Sequence, residues 1–169
     1  MSKAEIIEKA IKQMEDWAAD SAHGYDQLYR WGEKGDYDCS AAVISAWENA
    51  GVPVKTKGAT YTGNMLSAFK KCGFKDITST INLYNGSGLK RGDVLLNQTH
   101  HAAMYCGNGY EVEASINEKA VLLAASLVIR LAVNFSNALT GIILGQTFCA
   151  IQMKCRKRLS LHLTPRLTV

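Results

Sequence analysis

Apolar positions in residues 3–20 recur at helical spacing. Ile6, Ile7, Ala10, Ile11, Met14, Trp17 and Ala18 line one side with charged residues between them, which predicts an amphipathic helix. The stretch SAHGYDQLYRWGEKGDYD, residues 21–38, is rich in Gly and aromatics and reads as a loop. A second helix is predicted over about 40–49, with Val43, Ile44 and Trp47 on one face and Gly51 as its stop signal. A third covers about 62–71 and ends at KKCGF, where Cys72 reads as a buried or half-buried filler. After NLYNGSGLKRGDVLLN the period changes to two. DVLLN and HAAMYCGNGYEVEAS then predict antiparallel strands, the last two joined by a tight hairpin at GNG. Helices first and strands afterwards argue an α+β fold rather than a βαβ sheet.

Length and charge refine this picture. A chain of 169 residues suits one domain with a single core. The net charge of +4 is unevenly spread. All fifteen acids lie at or before Glu118, and residues 119–169 carry basic residues only. The basicity therefore belongs to the tail, and nothing in the main segment points to nucleic acid. Five cysteines without a CxxC pair argue against both a disulfide framework and a zinc knuckle. The charged N-terminus lacks the apolar run of a signal peptide, so synthesis in the cytoplasm is expected.

Cys39 begins the second predicted helix, with Asp38 and Ser40 beside it as capping groups. A helix N-terminus favours a thiolate through the macrodipole and free amide donors. By itself this reads equally well as a structural cysteine. His101 heads an alternating strand and shares a face with Ala103 and Tyr105, while His100 points the other way. A histidine there either faces solvent or meets a helix N-terminus, as a Cys–His pair requires. Glu113 lies twelve residues on, across the hairpin and on the same face as His101. It is either a solvated strand carboxylate or the group that orients the imidazole, and Glu111 is its nearest competitor.

The blocks YDCSAAVISAW, LKRGDVLL and HAAMYCGNGYEVEAS, in that order, resemble the NlpC/P60 cysteine peptidases, most closely the phage-lysin branch described as bacteriophage peptidoglycan hydrolases. The upstream GYDQLYRWGEKGDYDCS resembles that branch as well, and the likeness spans about residues 20–118. It implies a papain-like fold, with N-terminal helices packed on an antiparallel sheet. It also implies Cys39 as nucleophile, His101 as base, Glu113 at the third, variable polar position and Tyr25 near the oxyanion, with Asp38 and Ser40 as supports. The implied substrate is bacterial peptidoglycan, cut at the muramoyl–L-alanine amide or a D-γ-glutamyl bond, with no cofactor and no metal. The chain would reach the wall after release by a holin or by lysis.

Beyond Glu118 the likeness stops, which divides the chain into a catalytic domain, residues 1–118, and an atypical apolar, basic tail, residues 119–169. Residues 120–151 are apolar enough to suggest a membrane segment, but Arg130, Asn134 and Asn137 interrupt it, and a clean span wants about 20 apolar residues. With suitable synonymous codons, a shifted frame starting inside the Lys119 codon resembles the Gly-rich segment and closing strand of the phage-lysin branch, followed by a Pro-rich linker. A frameshift is the favoured origin, and the closing strand is then expected to be altered or missing, leaving a pairing edge. A peptidoglycan hydrolase is thus the leading expectation. A catalytically impaired wall-binding remnant and a protein acting on membranes through its tail are the alternatives. The residues leave the oligomeric state open.

Overall fold

The computed structural model describes residues 1–116, 125–131 and 142–145. Among these residues, helices run Lys3–Ala19 (α1), Cys39–Asn49 (α2) and Thr62–Lys71 (α3). Six strands follow: Lys75–Asp76 (β1), Val94–Asn97 (β2), His101–Gly107 (β3), Tyr110–Ile116 (β4), Ala125–Leu131 (β5) and Ile142–Gly145 (β6). The helices and the hairpin fall where the hydrophobic periods place them, and the fold is α+β. Helix α1 starts with a reciprocal cap in which Ser2 Oγ accepts from the Glu5 amide at 3.3 Å and Glu5 accepts from the Ser2 amide at 2.6 Å.

One sheet carries the strands in the order β1-β6-β2-β3-β4-β5. Each observed pairing is antiparallel. In the GNG turn, Gly107, Asn108 and Gly109 all have positive φ, a conformation that Gly and Asn adopt most readily. The Gly109 amide donates to Tyr105 Oη at 2.9 Å and ties the turn to its own strand.

Side-chain alternation divides the sheet into two faces. Val94, Leu96, Ala102, Met104, Cys106, Val112 and Ala114 join Ala10, Ile11 and Met14 of α1 and the buried side of α2 in the main core. Trp47 and Phe74 meet edge to face at 4.9 Å, and Phe69 packs on Phe74 at 4.7 Å. Full burial of side chains of this kind contributes roughly 1.5–3 kcal/mol each. On the other face Leu95, Ala103 and Tyr105 form a small separate cluster covered by Ile77, Ile81 and Leu89. Cys72 is half-buried, as a filler would be.

Arg91 anchors α1 to the sheet. Its guanidinium forks onto Glu8 at 2.9 Å and Glu15 at 2.5 Å, and Nη1 also donates to the Cys106 carbonyl at 2.9 Å. Burial pulls its pKa down, but the Glu15 and Glu8 hydrogen bonds outweigh that and hold it well above its usual value. Next to it, Gly92 has φ +91°, and a Cβ there would run into Ile7 Cγ2 of α1. The short RGD stretch thus fixes how closely the helix approaches the strands.

The closing strand, expected to be altered or missing, is present and is built from residues of the atypical tail. β5 pairs with β4 from Tyr110↔Leu131 to Ile116↔Ala125, and β6 sits between β1 and β2. The strand carrying Glu113 is therefore an interior strand. An alternating or apolar segment can satisfy a sheet edge through its backbone alone, so tail residues close the sheet. The division at residue 118 lies outside the described residues, as does most of the interrupted apolar run. Among the described residues no helix is long and apolar enough to cross a membrane.

Candidate active site

Asp38 is where the loop becomes a helix. Its backbone is extended (φ −85°, ψ 173°), and Oδ1 accepts from the Ala41 amide at 2.7 Å and from Ser40 Oγ at 2.9 Å. This is an N-cap, and it places Cys39 at the first helical position, where the helix amides are still free. Asp38 Oδ2 is bound by Arg30 Nη1, and Arg30 Nη2 donates to the Thr60 carbonyl. Arg30 therefore links the cap of α2 to the segment that leads into α3.

The loop before Cys39 is shaped by its own contacts. Tyr37 stacks on Trp17 at 4.4 Å and bridges to both Tyr25 and Trp31. The Gly24 amide donates to Asp36 at 2.6 Å, and His23 hydrogen-bonds the Gly35 carbonyl. Tyr25 is thereby held half-buried within electrostatic reach of Cys39 and Asp38. Burial pushes its phenol up, a hydrogen bond from Gln27 offsets part of that, and negative charge at Cys39 and Asp38 adds to the rise. Gln27 Nε2 donates to Tyr25 Oη at 2.8 Å, so the phenol proton is free to be donated elsewhere.

His101 is the first residue of β3. Its register partner on β2 is Asn97, and Tyr105 further along pairs with Glu111 on β4. Continuing that register sets Glu113 across from Ala103, one diagonal step from His101 on the same face. Diagonal neighbours in a sheet are within reach of long side chains. His101 Nε2 meets Glu113 Oε2 at 2.5 Å, with the ring 22% and the carboxylate 8% exposed. A carboxylate only accepts, so Nε2 carries the proton and Nδ1 is left for another partner. The Cys39 sulfur acts on the ring as well, within hydrogen-bonding and electrostatic reach of it.

Three influences act on His101. Burial lowers its pKa, but the Cys39 and Glu113 hydrogen bonds and their negative charge outweigh it, and the pKa rises from 6.5 to about 10. The imidazolium therefore persists at neutral pH between a sulfur and a carboxylate. Ser115 Oγ donates to Glu113 Oε1 at 2.9 Å, so each oxygen of the carboxylate has its own partner.

The structure thus brings together Cys39, His101 and Glu113, with Asp38 and Ser40 at the cap and Tyr25 within electrostatic reach of Cys39. His100 is exposed and apart. Glu111 faces Tyr105, away from the histidine. Arg30, Gln27 and Ser115 escaped the sequence reading. Ser115 had a usable signal, its even spacing from Glu113, whereas Arg30 and Gln27 lie in irregular loop and had none. Among the described residues no cluster of three His, Cys, Asp or Glu side chains is arranged to hold a metal ion.

Comparison with known proteins bears on the fold and the family likeness. Residues 30–112 match the family model of an endolysin-like domain. The fold is similar to the crystal structure of the P60 domain of an antigen from M. avium subspecies paratuberculosis, with a TM-score of 0.53 and 18% identity over 83% of this chain and 93% of that one. No curated protein matches the chain. The chain has the P60-type α+β fold, and its segment 30–112, which holds Cys39 and His101, is similar to an endolysin-like domain.

Proposed function

We propose that this protein is a cysteine hydrolase of bacterial peptidoglycan that cuts an amide bond of the stem peptide. The observation that carries the reading is the His101 ring held between the Cys39 thiol and the Glu113 carboxylate. The match of residues 30–112 to an endolysin-like domain supports peptidoglycan as the substrate class.

An imidazolium at this place supports the sulfur in its anionic, nucleophilic form. Sγ attacks the carbonyl carbon, and the oxyanion that forms is met by the Cys39 backbone amide, with Tyr25 Oη as second donor. Collapse breaks the C–N bond while His101 Nδ1 gives its proton to the departing amine, leaving a thioester. Water then adds to the thioester as Nδ1 takes its proton back, and the C–S bond breaks to free the carboxylate and restore the pair. Glu113 keeps the ring oriented throughout, with Nε2–H on Oε2 and Nδ1 toward the sulfur. Neither half-reaction needs a metal. The bond cut is the muramoyl–L-alanine amide or a D-γ-glutamyl bond, and the site of action is the cell wall after release from the host cytoplasm.

Dye release from labelled cell wall tests the reading, with Cys39→Ala as control. Release by the wild type with at least a thousandfold loss in Cys39→Ala is expected. Equal release by both proteins would overturn it.

A further inference from the structure

We infer that Ser115 is a positioning residue of the catalytic group, acting on His101 through Glu113. This inference rests on the hydrolase reading above. Ser115 Oγ donates to Glu113 Oε1 at 2.9 Å, while Oε2 takes the His101 ring. An ionised carboxylate can turn about its terminal bond, and a broad two-fold torsion resists that turning weakly. The hydroxyl removes this freedom, because turning the carboxylate would break one bond as it remade the other. It also favours the charged form by donating to it. The Glu113 residue is 6% exposed, so water does not readily replace the serine.

His101 reaches Glu113 from β3, and Cys39 stands beyond the ring at the start of α2. On β4, Glu111 lies two residues back and pairs with Tyr105. On β5, the register partners of Glu113, Ser115 and Glu111 are Val128, Ser126 and Arg130. A chain of Ser115, Glu113, His101 and Cys39 runs from β4 to the helix start, and the sequence spacing of 113 and 115 keeps the first two on one face.

Two readouts on the full chain test this. The first is hydrolysis of purified cell wall by Ser115→Ala and Ser115→Thr. Ser115→Ala is expected to lose about tenfold in kcat, equivalent to about 1.4 kcal/mol, with KM unchanged. Ser115→Thr keeps the hydroxyl and is expected to recover most of the loss. The second is the alkylation rate of Cys39 by iodoacetamide at neutral pH, resolved by peptide mass spectrometry, which needs no hydrolysis. Ser115→Ala is expected to slow it severalfold and Ser115→Thr to restore it. Unchanged alkylation and kcat in a Ser115→Ala protein that melts like the wild type would overturn the inference. Equal loss in the Ala and Thr variants would overturn it as well. Slower alkylation in a protein whose wild type hydrolyses no wall would uphold the positioning role and sink the hydrolase reading instead.

Discussion

Replacing Asp38 by Ala removes three contacts at the point where Cys39 is held. The helix loses its N-cap acceptor for the Ala41 amide at 2.7 Å, Ser40 Oγ loses its partner at 2.9 Å, and Arg30 loses its carboxylate. Cap loss costs about 1 kcal/mol. A hydrogen bond to a charged group contributes about 1.5–3 kcal/mol, discounted here because the Arg30 side chain is 23% exposed and retains the Thr60 carbonyl. The total is about 2–4 kcal/mol. For a chain of this size each kcal/mol moves Tm by about 2–4 °C, so Asp38→Ala should melt roughly 5–15 °C below the wild type. Asp38→Asn keeps an oxygen for the cap and loses the charge alone, so it should fall about halfway between. Thermal melts followed by circular dichroism measure both, and wall hydrolysis should fall with the cap because Cys39 is the next residue. Melting of Asp38→Ala within about 2 °C of the wild type, or equal melting of the Ala and Asn variants, would refute this account of the helix start.

Two further outcomes concern pH. The folded protein holds the His101 proton up to about 10, against an ordinary value of 6.5. The group therefore adds stability in full below about 6.5, and that share is lost as pH rises toward and through about 10. Glu113→Gln should flatten this part of the stability profile, and melts at a series of pH values check it: identical slopes in both proteins count against the ion pair. Asp93 behaves oppositely, because burial pushes its carboxyl from 3.8 up to about 6 despite the Lys90 amide at 2.7 Å. Its folded form binds the proton more tightly, so the charged group burdens the fold above about 6 and not below about 4. Asp93→Asn keeps the acceptor and should stabilise the protein at pH 7.5 by about 1–3 kcal/mol, with the gain vanishing near pH 4. Denaturant titration at the two pH values decides it, and a gain that is the same at both would contradict the burial argument.

The parts of this molecule that are local and periodic were legible in the sequence. The spacing of Ile11, Met14 and Trp17 gave α1, and the switch to period two with GNG gave the β3–β4 hairpin. Strand parity was enough to set His101 and Glu113 on one face, while His100 lies exposed in the turn before β3. The tail was less legible, because an apolar run broken by Arg130 has neither a clear helical nor a clear strand period. The structure pairs residues 125–131 along β4, where an altered or missing strand was expected. β1 is two residues long and is defined by its partner β6, so no local signal marks it. Arg30 reaches Thr60 across thirty residues of sequence, and the assignment of Nε2 to Glu113 needs the hairpin in space. Contacts of that kind depend on the assembled fold and have no sequence period.

The central claim is that Cys39 cuts stem-peptide amides with His101 and Glu113 beside it. Mass spectrometry of muropeptides from purified cell wall, digested by the wild type and by Cys39→Ala, tests it most directly. The account predicts fragments newly ended at L-alanine or at the D-γ-glutamyl bond in the wild-type digest and none in the variant. The same fragments from both proteins, or no new fragment from either, would contradict it.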